Sequence, residues 1–385
     1  MTASPPTPPT PPPPRPSIPI EAAGRSWIRQ HALKLAASAL ITVGIISMLM
    51  KSDAKMWPAV GDLANTRWWC LPAYAVIVAV MNYYRAVRWR FLLRGIGDFP
   101  RSRILAVSWI GFAAILIMPF RLGELVRPVM LREQANDKRI SLTATTSTVI
   151  AERIIDGLYL SLVLAIALLL VPMQSPLPDR VVGLPKAVTI ESVRASGFVM
   201  LGIFVLAFSS ILFFYFARGL ATRMLHATIG RISEPLNAKI VTLFEKFSGG
   251  LAMFGSLRDL GGFLFESTLY WSANALGMWL LAWGTGVVHA DGSPPHIGEA
   301  CALMGMLGVA ILIPGPPGLL GLFQAGIYAG MTMYFPPSVI LREGTAFTFL
   351  LYATQFLWTL ASSLYFLVAD RKNLSAFKHG LVATS

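Results

Sequence analysis

Apolar residues in this chain come in blocks, and the blocks are the length of a bilayer. Runs over 33–50, 68–84, 142–171, 195–217, 262–288 and 344–369 carry few charges. A hydrocarbon core of roughly 30 Å takes about 20 helical residues to cross. Inside it no water satisfies the backbone, so only helices and closed barrels span. A barrel needs strands that alternate apolar and polar residues, and these runs do not alternate. The chain therefore reads as an all-α polytopic membrane protein. We expect about six spanning helices plus two re-entrant hairpins, about eight or more membrane helices arranged as inverted repeats.

Charge orients the helices. The chain is 55% hydrophobic and 13% charged, with a net charge of +13. In a membrane protein such an excess belongs to cytoplasmic loops and favours anionic lipid headgroups, so nucleic acid is not an expected partner. Arg85, Arg88, Arg90, Arg94, Arg101 and Arg103 stand against Asp98 alone, which marks that side as cytoplasmic. Both termini then fall inside, in a multi-pass protein of the cell (inner) membrane. Residues 1–26 form a proline-rich disordered tail, either solvated or a docking segment. A transmembrane domain covers 27–371, with a first repeat over 68–171 and a second over 262–369. A cytoplasmic amphipathic segment spans 218–261, and 372–385 is a short cytoplasmic tail. The two cysteines and five histidines show no metal-ligand spacing, so no metal, cofactor or enzymatic centre is expected.

The apolar runs over 104–120 and 300–313 are shorter, about 25 and 21 Å as helices. Each ends in a proline: "AILIMPFRLGEL" at Pro119 and "VAILIPGPPGLL" at Pro314. Both read aliphatic run, Pro, three residues, Gly (Gly123 and Gly318). Ordinary helix breaks would produce the same pattern. A hairpin, however, keeps the basic sets on either side of 104–120 on one face of the membrane. Interrupted short segments in corresponding halves point to a transporter's central site.

The charges near these breaks are the candidate site. Arg121, Gly123, Glu124 and Arg127 crowd into "RLGELVRP", with Glu124 and Arg127 at i, i+3. They form either an interfacial ion pair or a cationic site for phosphate, for which arginine's planar fork is suited. "IAERIIDG" supplies Glu152, Arg153 and Asp156. Its two carboxylates at i, i+4 suit a proton relay, counter-ions for Arg121 and Arg127, or a buried structural network. "PGPPGLLGLFQAG" contains Pro317, Gly318, Gly321 and Gln324. It lacks the Lys-Ser/Thr of a nucleotide loop but could offer helix N–H groups to an anion.

These stretches resemble the transmembrane family of the lysylphosphatidylglycerol synthases, a flippase-like domain found alone or fused to a synthase. The pattern R-x-G-E-x-x-R is met by Arg121, Gly123, Glu124 and Arg127, and E-R-x-x-D by Glu152, Arg153 and Asp156. P-G-G-x-G-x-x-E is met by Pro317, Gly318 and Gly321, with Leu319 in place of a glycine and Gln324 in place of the acid. The resemblance implies a lipid translocase without the synthase domain, handling an anionic or lipid-linked substrate at these positions. Alternatives are a non-transporting accessory subunit, working with a partner enzyme of lipid or glycan synthesis, or a membrane-embedded transferase.

Overall fold

The computed structural model describes residues 57–118, 123–135, 140–179, 189–242, 256–311 and 317–369, with isolated positions 40, 44, 47, 181, 373 and 375–377. The helices are α1 (Cys70–Val87), α2 (Trp89–Leu93), α3 (Arg101–Ile117), α4 (Val126–Ala135), α5 (Leu142–Leu170), α6 (Ile190–Phe216) and α7 (Arg218–Ile232). They continue with α8 (Leu257–Gly284), α9 (Ile297–Ala310), α10 (Leu322–Met331), α11 (Pro337–Ile340) and α12 (Glu343–Ala369). Among the described residues there is no strand.

Local chemistry sets the boundaries. Ser141, Thr189 and Ser256 each accept a backbone N–H two or three residues into the helix they precede, capping α5, α6 and α8. α3 ends where Met118 turns extended, at φ −89° and ψ 134°. A residue before proline is driven out of the helical region by the ring that follows, and Pro119 follows here.

Both short runs fold as helical hairpins. Gly123 lies against the backbone of Ala114, and Gly111 against the Arg127 stem. As one number falls the other rises, so α3 and the 123–135 arm run antiparallel. In the second unit Gly326 meets Leu307 and Ala310, and Gly330 meets Leu303, so α9 and α10 are antiparallel too. In the second hairpin, small residues at four-residue spacing, Gly326 and Gly330, let the backbones approach closely.

The units exchange partners in a reciprocal way. Their first helices, α1 and α8, pair along most of their length. Gly284 sits on Cys70, Gly277 on Tyr74 and Gly262 on Phe91, so this pair is antiparallel. The first arm of hairpin one packs on α12, the last helix of unit two, and the first arm of hairpin two packs on α5, the last helix of unit one. Swapping the units reproduces the contacts, and the antiparallel α1–α8 pair makes the repeat inverted.

Among the described residues, four helices are long and apolar enough to cross a membrane: Cys70–Leu93, Leu142–Leu170, Ile190–Ser210 and Pro337–Ala369. The expected span over 33–50 and the tail over 1–26 lie outside the described residues apart from positions 40, 44 and 47. α8, also expected to span, is 28 residues long but is not among the four. Its polar residues face α1 and α2: Glu266 holds Arg90 at 2.5 Å, Ser267 holds Arg88 at 2.9 Å, and Asp259 pairs with Arg94. The segment expected to be amphipathic begins as α7, and 243–255 lies outside the described residues.

Candidate functional site

Five side chains from three elements form a buried charge network at the foot of α5. Arg88, at the bend between α1 and α2, is fully buried. It grips Asp156 with both terminal nitrogens, at 2.6 and 2.7 Å, and reaches Glu152 at 3.0 Å. Arg127, from α4, is also fully buried and donates to the other Glu152 oxygen at 2.9 Å. Its guanidinium lies between aromatic rings, 4.2 Å from the Trp89 centroid and 5.3 Å from that of Phe112. Trp89 is fixed by its indole N–H donating to Thr148 at 2.9 Å. Arg153 donates to Glu152 at 3.0 Å and stands 3.6 Å from Asp156 and 4.0 Å from Glu124. A buried charge survives only when paired and hydrogen-bonded. Here Glu152 serves three arginines at once, so it is the hub.

Above this network lies a cavity of about 160 Å³. Both hairpins reach it: Phe112, Ile115 and Leu116 from the first, Leu307, Gly308, Gly318 and Leu319 from the second. Tyr352, Gln355 and Thr359 of α12 close one side, and Tyr270, Trp271 and Asn274 of α8 another. Two cations line it, Arg85 and Arg153. Arg153 is held by the carboxylates described above. Arg85 is half-buried over the Phe112 ring, 4.0 Å from its centroid, and among the described residues makes no ion pair or hydrogen bond. Among the described residues no carboxylate lines this cavity.

The second hairpin contributes shape rather than charge. Gly318 has φ +68° and its carbonyl accepts the Tyr352 hydroxyl at 2.9 Å. Gly321, at φ +87°, begins α10, and its N–H donates to the Gln324 side chain at 2.7 Å. Gln324 is thus a buried cap and does not line the cavity. Pro317 sits in the turn that carries Gly318. Leu319, where the resemblance has a second glycine, keeps a glycine-like φ of +56°.

The motif residues therefore divide. Arg121 lies outside the described residues. Arg127 does not reach the cavity, because burial against Trp89 and its bond to Glu152 hold it in the network. Gly123 forms the close contact between hairpin arms, and Glu124 stands near Arg153. Glu152 and Asp156 act as counter-ions: Asp156 chiefly to Arg88, and Glu152 to Arg127, Arg88 and Arg153 together. Sequence reasoning assigned Arg85 and Arg88 to a basic cytoplasmic loop. Both lie at the end of the α1–α2 segment, facing inward. Their i, i+3 spacing directly after an apolar run is the signal that could have found them.

Residues 26–363 match the family described as the lysylphosphatidylglycerol synthase TM region. No curated protein and no solved structure matches the chain.

Proposed function

Since this chain belongs to the lysylphosphatidylglycerol synthase transmembrane family, we propose that it moves a lipid across the cell membrane, holding the headgroup in the cavity between the hairpins. The observation that carries this reading is Arg85, a cation with no carboxylate partner among the described residues, lining that cavity beside Arg153. Ionisable residues within a membrane domain are costly and mark substrate pathways. An arginine without a carboxylate partner among the described residues, over the Phe112 ring in this cavity, fits an anionic head, and a phosphate is the group its fork binds best. The inverted repeat supplies the means of alternating access, since either unit can rock against the other around a central site.

In this reading the Glu152 network is scaffold and not substrate contact. It fixes Arg153 at the cavity wall and ties hairpin one to α5. Both termini lie in the cytoplasm, and the substrate is an anionic or lipid-linked molecule. The test is lipid movement in proteoliposomes, comparing purified full chain with protein-free vesicles and with Arg85→Gln. Wild-type transport that the substitution lowers by ten-fold or more (about 1.4 kcal/mol) supports the reading. A wild-type protein that moves no lipid of any headgroup sinks it and favours an accessory role.

A further inference from the structure

Behind the central cavity is a second, of about 230 Å³, between α5, α6 and α9. Its walls are mostly apolar, with Leu160, Met200, Phe204 and Val309 prominent, and its polar members are Arg153, Asp156 and Ser161, the first two paired with each other at 3.6 Å. Glycines let its walls come together. Gly157 faces the Phe204 ring so closely that an added Cβ would lie 2.1 Å from it, and Gly305 and Gly308 let α9 settle on Leu164 and Leu160. The two cavities share Arg153, Leu160, Trp271, Gly308 and Ile311 as common walls. A cationic chamber and an apolar crevice thus meet at one arginine.

We propose that this crevice is a subsite for one hydrocarbon chain of the lipid whose head lies at Arg85 and Arg153. The inference rests on the head-binding reading above and adds where the tail goes. An apolar cavity does not hold water favourably; it stays dry or takes an apolar guest. The crevice adjoins a place built for an anion, so the guest that satisfies both chambers is an amphiphile. α6 is its outer wall, and that helix exposes Phe198, Val199, Ile203 and Leu206 on its other side. Those side chains suit contact with bilayer lipid, which places the crevice one helix in from the hydrocarbon. A chain threaded behind α6 lets the head stay in the polar chamber while the tail remains among apolar groups.

The experiment is photolabelling of the full chain in phosphatidylcholine nanodiscs doped with phosphatidylglycerol that carries a diazirine in mid-chain. Adducts mapped by peptide mass spectrometry are expected on segments containing Met200, Phe204 and Val309, several-fold above those on the exposed face of α12 at Leu357 and Leu364. Val309→Trp or Met200→Trp, filling the crevice from opposite walls, should lower that focused labelling several-fold while α12 labelling is unchanged. Adducts spread evenly over outward-facing helices, insensitive to either tryptophan, overturn the subsite. Focused labelling without any lipid movement in proteoliposomes would leave the subsite standing and the translocase reading refuted. Movement with scattered labelling would do the reverse.

Discussion

The two hairpins share an architecture and are held by different physics. Hairpin one is tied down by charge: Arg127 is buried between Trp89 and Phe112 and bonded to Glu152 of α5. Hairpin two has no ion pair between its arms among the described residues; its one paired acid, Glu299, lies at the start of α9 and meets His289 at 2.7 Å. Its glycines, Gly326 and Gly330, bring α10 onto α9, and Gln324 caps the turn. A charged network is directional and breaks when one partner goes, whereas packing yields in proportion to the overlap introduced. The asymmetry puts the chemistry on one repeat and leaves the other to shape the cavity.

The sharpest way to break the comparison is at the hub. Glu152→Gln strands Arg127 in a buried site, while Arg88 keeps Asp156, and should cost about 3–5 kcal/mol, read as lost abundance and a lower melting temperature in detergent. The counterpart on hairpin two, Gln324→Ala, removes only the acceptor of one N–H, about 1–3 kcal/mol. Equal losses from the two would erase the proposed difference.

Glycine substitutions come next. At Gly123 an added Cβ would lie 2.2 Å from the carbonyl carbon of Ala114, which is backbone and cannot step aside. At Gly326 the nearest atom is the Ala310 Cβ at 2.7 Å. Overpacking of this kind typically costs about 1–3 kcal/mol. Gly123→Ala should fall at the top of that range and Gly326→Ala lower, compared by thermal melts of the two purified variants. A Gly326→Ala protein less stable than Gly123→Ala would reverse the ordering.

The smallest effect is expected at Leu319. A left-handed backbone costs a non-glycine residue about 1–2 kcal/mol, and glycine relieves it while adding freedom to the unfolded chain. Leu319→Gly should therefore change stability by less than about 1 kcal/mol, checked on the same melts. A large loss would mean that the leucine side chain, which lines the cavity, holds the turn by packing.

The architecture was legible because proline and glycine act locally. Pro119 and Pro314 announce the two breaks, and the apolar blocks give α5, α6 and α12 to within a few residues. α8 was legible as a helix, but its polar positions needed partners on α1 and α2 that no local pattern reveals. The site was legible in part. Glu152 and Asp156 stand out because carboxylates seldom occupy apolar runs. Arg88, which binds both, was hidden among Arg85, Arg90 and Arg94, since an arginine at the end of a span looks the same in sequence whether it turns to water or inward. Arg127 was found, and Glu152 as its counter-ion was among the readings weighed; its burial between Trp89 and Phe112, away from the cavity, was hidden because i, i+3 spacing links it to Glu124 whereas the fold presents it to α5.

Arg85 is the position where the account is most exposed. It lines the cavity and makes no ion pair or hydrogen bond among the described residues; Glu152, within reach of its charge, keeps Arg88, Arg127 and Arg153 as direct partners, so its loss should leave the fold intact. The measurement is native mass spectrometry of lipids retained by gently purified wild type and Arg85→Gln, with melting temperatures recorded alongside. The account predicts an anionic lipid carried by the wild type and lost several-fold from the variant at unchanged melting temperature. Equal retention of the same anionic lipid by both proteins would contradict it.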